Sequence, residues 1–145
     1  VVLHGGNTAS GLSSETWEWD GANWTSSSAT GPSTRAYHAL TYFGDRDQVV
    51  LTGGYGDSGP LSDTGEYSAA GTWSLVPYTG VGQRYGLGSV YDPAGRRLLL
   101  FGGSYLSGND TWEYDLPSVP ARTNGLVLVR QSGTIGERME LATVR

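Results

Sequence analysis

Two kinds of residue in this chain could do acid–base or ion chemistry: a pair of histidines, His4 and His38, and a recurring set of glutamates and arginines. Glu18 is followed by Arg35, Glu66 by Arg84 and Glu113 by Arg122, at gaps of 17, 18 and 9 residues. A charge that returns at a fixed spacing is expected to hold the fold, in a buried network, before it serves a ligand. Positions where the pattern breaks are freer. Trp17 and Trp112 give way to Gly65, His38 to Leu87, and His4 to Thr52 and then Phe101. Two histidines at separate strand positions do not make a catalytic or metal site by themselves, and packing is the expectation for each. The stretch GGYGDSG, residues 53–59, has the glycines of a phosphate loop but neither its lysine nor a helix after it, so a loop tip is expected there.

The elements that must position these groups repeat. VVLHGG at 1–6 returns as VVLTGG at 49–54 and LLLFGG at 98–103, offsets of 48 and 49 residues. SETWEWD at 14–20 returns as SDTGEYS at 62–68 and NDTWEYD at 109–115. A tryptophan element beginning at Ala22 recurs at Gly71, and RAYHALTYF from Arg35 recurs as RYGLGSVYD from Arg84. Period-two patterning and turn residues place strands at 1–5, 14–19 and 23–26, then at 36–43, 48–53, 62–67 and 72–76, and finally at 86–91, 97–102 and 110–115. With 23 glycines and only 16% charged residues in 145, the composition suits short strands joined by tight turns, and the fold class is all-β.

The diglycine-ended apolar strand, the acidic-Thr-Trp-Glu-Tyr strand, the later tryptophan and the period near 50 residues resemble the kelch repeat. The resemblance covers roughly residues 1–115. It implies a β-propeller of four-stranded blades, incomplete in this chain: a partial blade at 1–34 lacking its inner strand, a whole blade at 35–83, and a blade at 84–115 that has lost its outer strand. Residues 116–145 are read as a degenerate fourth blade or a linker to a missing region. In such a fold the diglycines supply positive φ and close approach, while Trp17, Trp112, Trp19, Tyr67 and Tyr114 fill the wedge between blades. The chain opens in mid-strand, so a fragment of a longer, bacterial repeat protein is expected, completed by further blades or by self-association.

A formal charge of −5 without any basic run excludes generic attraction to nucleic acid. No apolar run reaches the 18 or so residues of a membrane span. The absence of cysteine removes disulfides and thiolate metal sites and leaves the compartment open, with a secreted or cell-envelope location slightly favoured. Some kelch propellers are copper radical oxidases, which need a Cys–Tyr cross-link, and this chain has no cysteine; SAAGTWSL from Ser68 also lacks the aspartate of a sialidase Asp-box. No catalytic residue, metal or cofactor is therefore expected.

Antiparallel neighbours place successive connections on alternate faces. The longer, more varied connections, at 7–13, 55–61 and 104–109 and between blades at 27–35 and 77–85, share one face. Functional residues favour such loops, and the candidates there are Asn7, Tyr55, Asp57, Tyr105 and Asn109. The expected function is a non-catalytic module binding a protein or a glycan through this face. The alternatives are a piece of a sugar-acting oxidase or isomerase whose catalytic residues lie elsewhere, and a purely structural spacer.

Overall fold

The computed structural model describes residues 1–76, 81–105, 110–115 and 128–132, which form antiparallel sheets with no helix among them. The first sheet has three strands, β1 (Val2–His4), β2 (Thr16–Trp19) and β3 (Trp24–Ser26), in the order β1-β2-β3. The second has four: β4 (Ala39–Phe43), β5 (Gln48–Thr52), β6 (Thr64–Ser68) and β7 (Trp73–Val76), in chain order across the sheet. The third also has four, β8 (Gly88–Asp92), β9 (Arg97–Phe101), β10 (Thr111–Asp115) and β11 (Leu128–Ser132). The all-β class and the strand positions expected from the repeat are present.

The outer edge of the third sheet differs from expectation. Leu128–Ser132 pairs antiparallel with Thr111–Asp115, so this sheet does not end at residue 115. Counting a fixed gap after the Trp-Glu-Tyr strand misses it, because ladder pairing constrains register and not the length of the connection. Leu128–Ser132, part of the segment read as a degenerate fourth blade or a linker, thus adds a fourth strand to the third sheet.

The sheets stack face to face, and burial follows. β5 is covered on both sides, which is why Val50, Leu51 and Thr52 are all buried and the strand reads as a continuous apolar run. The main core lies between the second and third sheets: Ala39, Phe43 and Val50 pack with Val81, Leu87, Leu98, Leu100 and Tyr114. Trp112 lies partly buried against it. Phe43 and Tyr91 meet ring to ring at 4.6 Å. Tyr67 and Tyr114 are buried and donate their hydroxyls to the preceding sheet, to Glu18 and Glu66 respectively. The break at Gly65 has a local cause: a Cβ there would meet the Trp73 ring at 3.2 Å.

Gly5, Gly53 and Gly102 sit at φ of 64°, 65° and 68°, in the left-handed region. At Gly53 the backbone also passes so close to the next repeat that a Cβ would lie 2.6 Å from the Arg84 carbonyl oxygen; Gly5 has the same relation to Arg35. Gly53→Ala is therefore expected to destabilise the fold by about 2 kcal/mol, against about 1 kcal/mol for Gly86→Ala, which has nearly the same φ, 67°, and faces open space. Urea melts of both variants check this, and equal losses would show that the close approach is not a constraint.

Candidate functional site

Arg35 and Arg84 each join two repeats. The main chain of Arg84 belongs to the second repeat: its N–H donates to the Leu61 carbonyl and its carbonyl accepts from Gly54. Its side chain belongs to the third, where Nη1 donates to the Gly102 carbonyl and the guanidinium grips Asp110 through both carboxylate oxygens at 2.8 and 3.0 Å. Trp112 covers the guanidinium at 5.6 Å and donates its own N–H to Asp110. Arg35 repeats the arrangement with Gly53 and Asp63. Both arginines are buried, and the guanidinium beside Asp110 holds that carboxyl below the usual carboxylate range. Arg122 lies outside the described residues, and the recurring Arg35 and Arg84 are structural, as the repetition implies. Their carboxylate partners, however, are Asp63 and Asp110, one residue before the threonine of the second element, and not the recurring glutamates.

His4 and His38 meet at the interface of the first two sheets, rings edge to face with centroids 5.9 Å apart. His4 is buried; its Nδ1 lies 2.9 Å from Thr16 Oγ1, which also accepts from Trp73 Nε1 at 2.9 Å. Burial first, then His38 and Arg35, push the pKa of His4 down to about 4, and burial and Arg35 do the same to His38. Both rings are neutral at neutral pH and act as packing groups. Among the described residues no three His, Cys, Asp or Glu side chains gather to hold a metal.

The loop face carries short hairpins, Asn7–Thr8 with Gly11–Leu12 and Tyr55–Gly56 with Gly59–Pro60, set beyond the first and second diglycines. Tyr55 is 41% exposed, and Asp57 accepts from the Thr34 hydroxyl at 2.7 Å, tying the hairpin tip to the segment that leads into β4. Asn7 occupies the equivalent position 48 residues earlier and is exposed; among the described residues no hydrogen bond or ring contact joins it to Tyr55 or Asp57. The backbone of Tyr105 pairs with Arg84, and Asn109 lies outside the described residues.

Two residues complete the site that sequence reasoning missed. Tyr85 stands edge-on to Tyr55 at 5.2 Å, and Tyr37 lies 6.4 Å from Tyr85. Tyr37 is 63% exposed and sits at φ 58°. Among the described residues the two other non-glycine positions with positive φ, Asp47 and Arg96, close the β4–β5 and β8–β9 hairpins, where turn geometry explains them. Tyr37 closes no such turn, and its counterpart 49 residues on is Gly86, at φ 67°. The signal was in the sequence: aligning RAYHAL with RYGLGS sets a bulky aromatic against a glycine.

No arginine among the described side chains approaches this cluster as a free charge. Among the described side chains, Arg46 faces Glu66, Arg96 faces Asp45, and Arg97 faces Asp92 and Glu113, while Arg35 and Arg84 are consumed in their inter-repeat pairs. No family model matches the chain, and no curated protein sequence matches it. No helix among the described residues is long and apolar enough to cross a membrane.

Proposed function

We propose that the chain is a non-catalytic interaction module, its sheets forming blades of a kelch-type β-propeller, and that the face carrying Tyr37, Tyr55 and Tyr85 binds a neutral glycan. The observation that supports a ligand site is Tyr37. A large side chain held in the left-handed region costs about 1–2 kcal/mol, and its exposed ring returns little of this through packing. Strain of this kind concentrates where function demands it. Three neighbouring tyrosines offer apolar ring faces and hydroxyls over a footprint suited to one or two sugar rings. A protein interface of about 800 Å² per partner needs a broader anchor than this cluster. Among the described residues no unpaired cation lies on the face, which favours an uncharged ligand over an acidic one.

The test is Tyr37→Gly, which installs the residue the next repeat uses. It is expected to raise stability by about 0.5–1 kcal/mol and to weaken binding to an array of neutral oligosaccharides at least tenfold, with Tyr55→Ala weakening it similarly. Silence of the wild-type chain on the array, or binding indifferent to both substitutions, would overturn the glycan reading. A protein captured by the wild type and lost with Tyr37→Gly would keep the site and change its ligand class.

A further inference from the structure

The tyrosine face also carries a carboxylate. Ala36 and Tyr55 exchange both backbone hydrogen bonds as an antiparallel pair. By alternation, the next pair on the same side of that ribbon is Thr34 with Asp57. The two side chains do meet: the Thr34 hydroxyl donates to Asp57 Oδ2 at 2.7 Å. Asp57 therefore projects from the side that bears Tyr55, two residues along the hairpin. Tyr55 is 41% exposed, so an open aromatic ring and a carboxylate lie side by side.

This carboxylate is not used up by the fold. Asp20 and Asp92, which also sit at hairpin turns, accept backbone N–H groups of their own turns. Asp57 accepts none, and no ion pair neutralises it among the described residues. Oδ1 is open, and Oδ2 keeps a second lone pair. Nor does the repeat require an acid here: the equivalent positions 48 residues before and 49 after are Ala9 and Leu106, and Thr34 is matched by Gln83. Tyr37 and Tyr85 are matched by Gly86 and Ala36. The whole group belongs to one junction between repeats, whereas the buried arginines beside it recur.

We propose that Asp57 sets the selectivity of this face by accepting two neighbouring hydroxyls of a neutral pyranose whose ring lies on Tyr55. The inference rests on the glycan reading and names the sugar class within it: pyranosides with a free vicinal diol in the gauche arrangement, whose two O–H groups can converge on the two carboxylate oxygens. A trans-diaxial diol points its hydroxyls apart and cannot engage both. Thr34 is a positioning residue, because its bond to Oδ2 fixes the plane of the carboxylate. Hydrogen bonds to an ionised acceptor are the strong ones, and the same negative charge repels a sugar carboxylate.

The test titrates the full chain with the methyl glycosides of glucose, mannose and galactose, their monodeoxy analogues and their uronates, following amide chemical shifts. At least one neutral glycoside should bind, and removing either contacted hydroxyl should weaken it about tenfold. Asp57→Asn should weaken the parent sugar to the level of its deoxy analogue, leave the analogue unchanged, and narrow the preference for the neutral sugar over its uronate. Its melting midpoint should not move, since the side chain is exposed. Thr34→Val should weaken the parent sugar and keep the order of the analogues. An Asp57→Asn loss equal for parent and deoxy sugars would make the role structural and overturn the proposal. Binding lost with Tyr55→Ala but indifferent to Asp57→Asn would overturn it while keeping the glycan reading. A wild-type chain silent toward every sugar would overturn both.

Discussion

Arg84→Ala is expected to lower the stability of the chain by about 3–5 kcal/mol. The substitution removes the fork that holds Asp110 and leaves that carboxylate 6% exposed and without its cation. It also frees the Gly102 carbonyl and uncovers the face of Trp112. Arg84→Lys should recover little, because one ammonium cannot reproduce two parallel N–H contacts to the carboxylate together with the donations to Gly82 and Gly102. Arg97→Ala is the contrast: its partners Asp92 and Glu113 lie toward the surface, and a loss under about 1 kcal/mol is expected. Urea denaturation at neutral pH ranks the three. A loss for Arg84→Ala no larger than that for Arg97→Ala would mean the inter-repeat strut does not hold the sheets together.

The second large effect is acid sensitivity. In the unfolded chain both histidines titrate near pH 6.5, whereas in the fold His4 and His38 titrate near 4. Between those values the unfolded state binds protons that the folded state refuses, so stability falls as pH falls. At 1.36 kcal/mol per unit, the two rings together should remove about 3 kcal/mol or more between pH 6.5 and 4. Asp110 acts in a lower window. Its folded pKa is depressed, so its contribution is full above the unfolded carboxylate value and is lost only as pH drops through the folded one. His38→Leu, the residue the next repeat carries at Leu87, should cut the loss between pH 6.5 and 4 by about half, His4 supplying the rest, while leaving the lower limb intact. Denaturant midpoints at intervals from pH 7.5 to 3 read both limbs, and a wild-type profile flat above pH 4 would show that the histidines are not buried in neutral form.

The recurring diglycine, the Trp-Glu-Tyr strand and the apolar run between them were sufficient to place ten of the strands, because each is a local demand: a positive φ, a period of two, a face to bury. The structural role of Arg35 and Arg84 was legible for the same reason, since a group repeated with the fold serves the fold. Their partners were not, because Asp63 and Asp110 lie 28 and 26 residues away and only the stacking of one sheet on the next decides which acid meets which arginine. The outer strand at 128–132 escaped because its connection is longer than the earlier ones and carries no repeated motif. Tyr55 and Asp57 could be placed on the loop face by counting turns. The grouping of Tyr55 and Tyr37 with Tyr85 came from residues 30 and 48 positions apart in the chain, brought within ring contact by the packing of successive repeats. The sequence alone determined the repeating unit, whose causes are short in range; the tertiary structure decided the site, because its members belong to different copies of that unit and meet only where those copies pack.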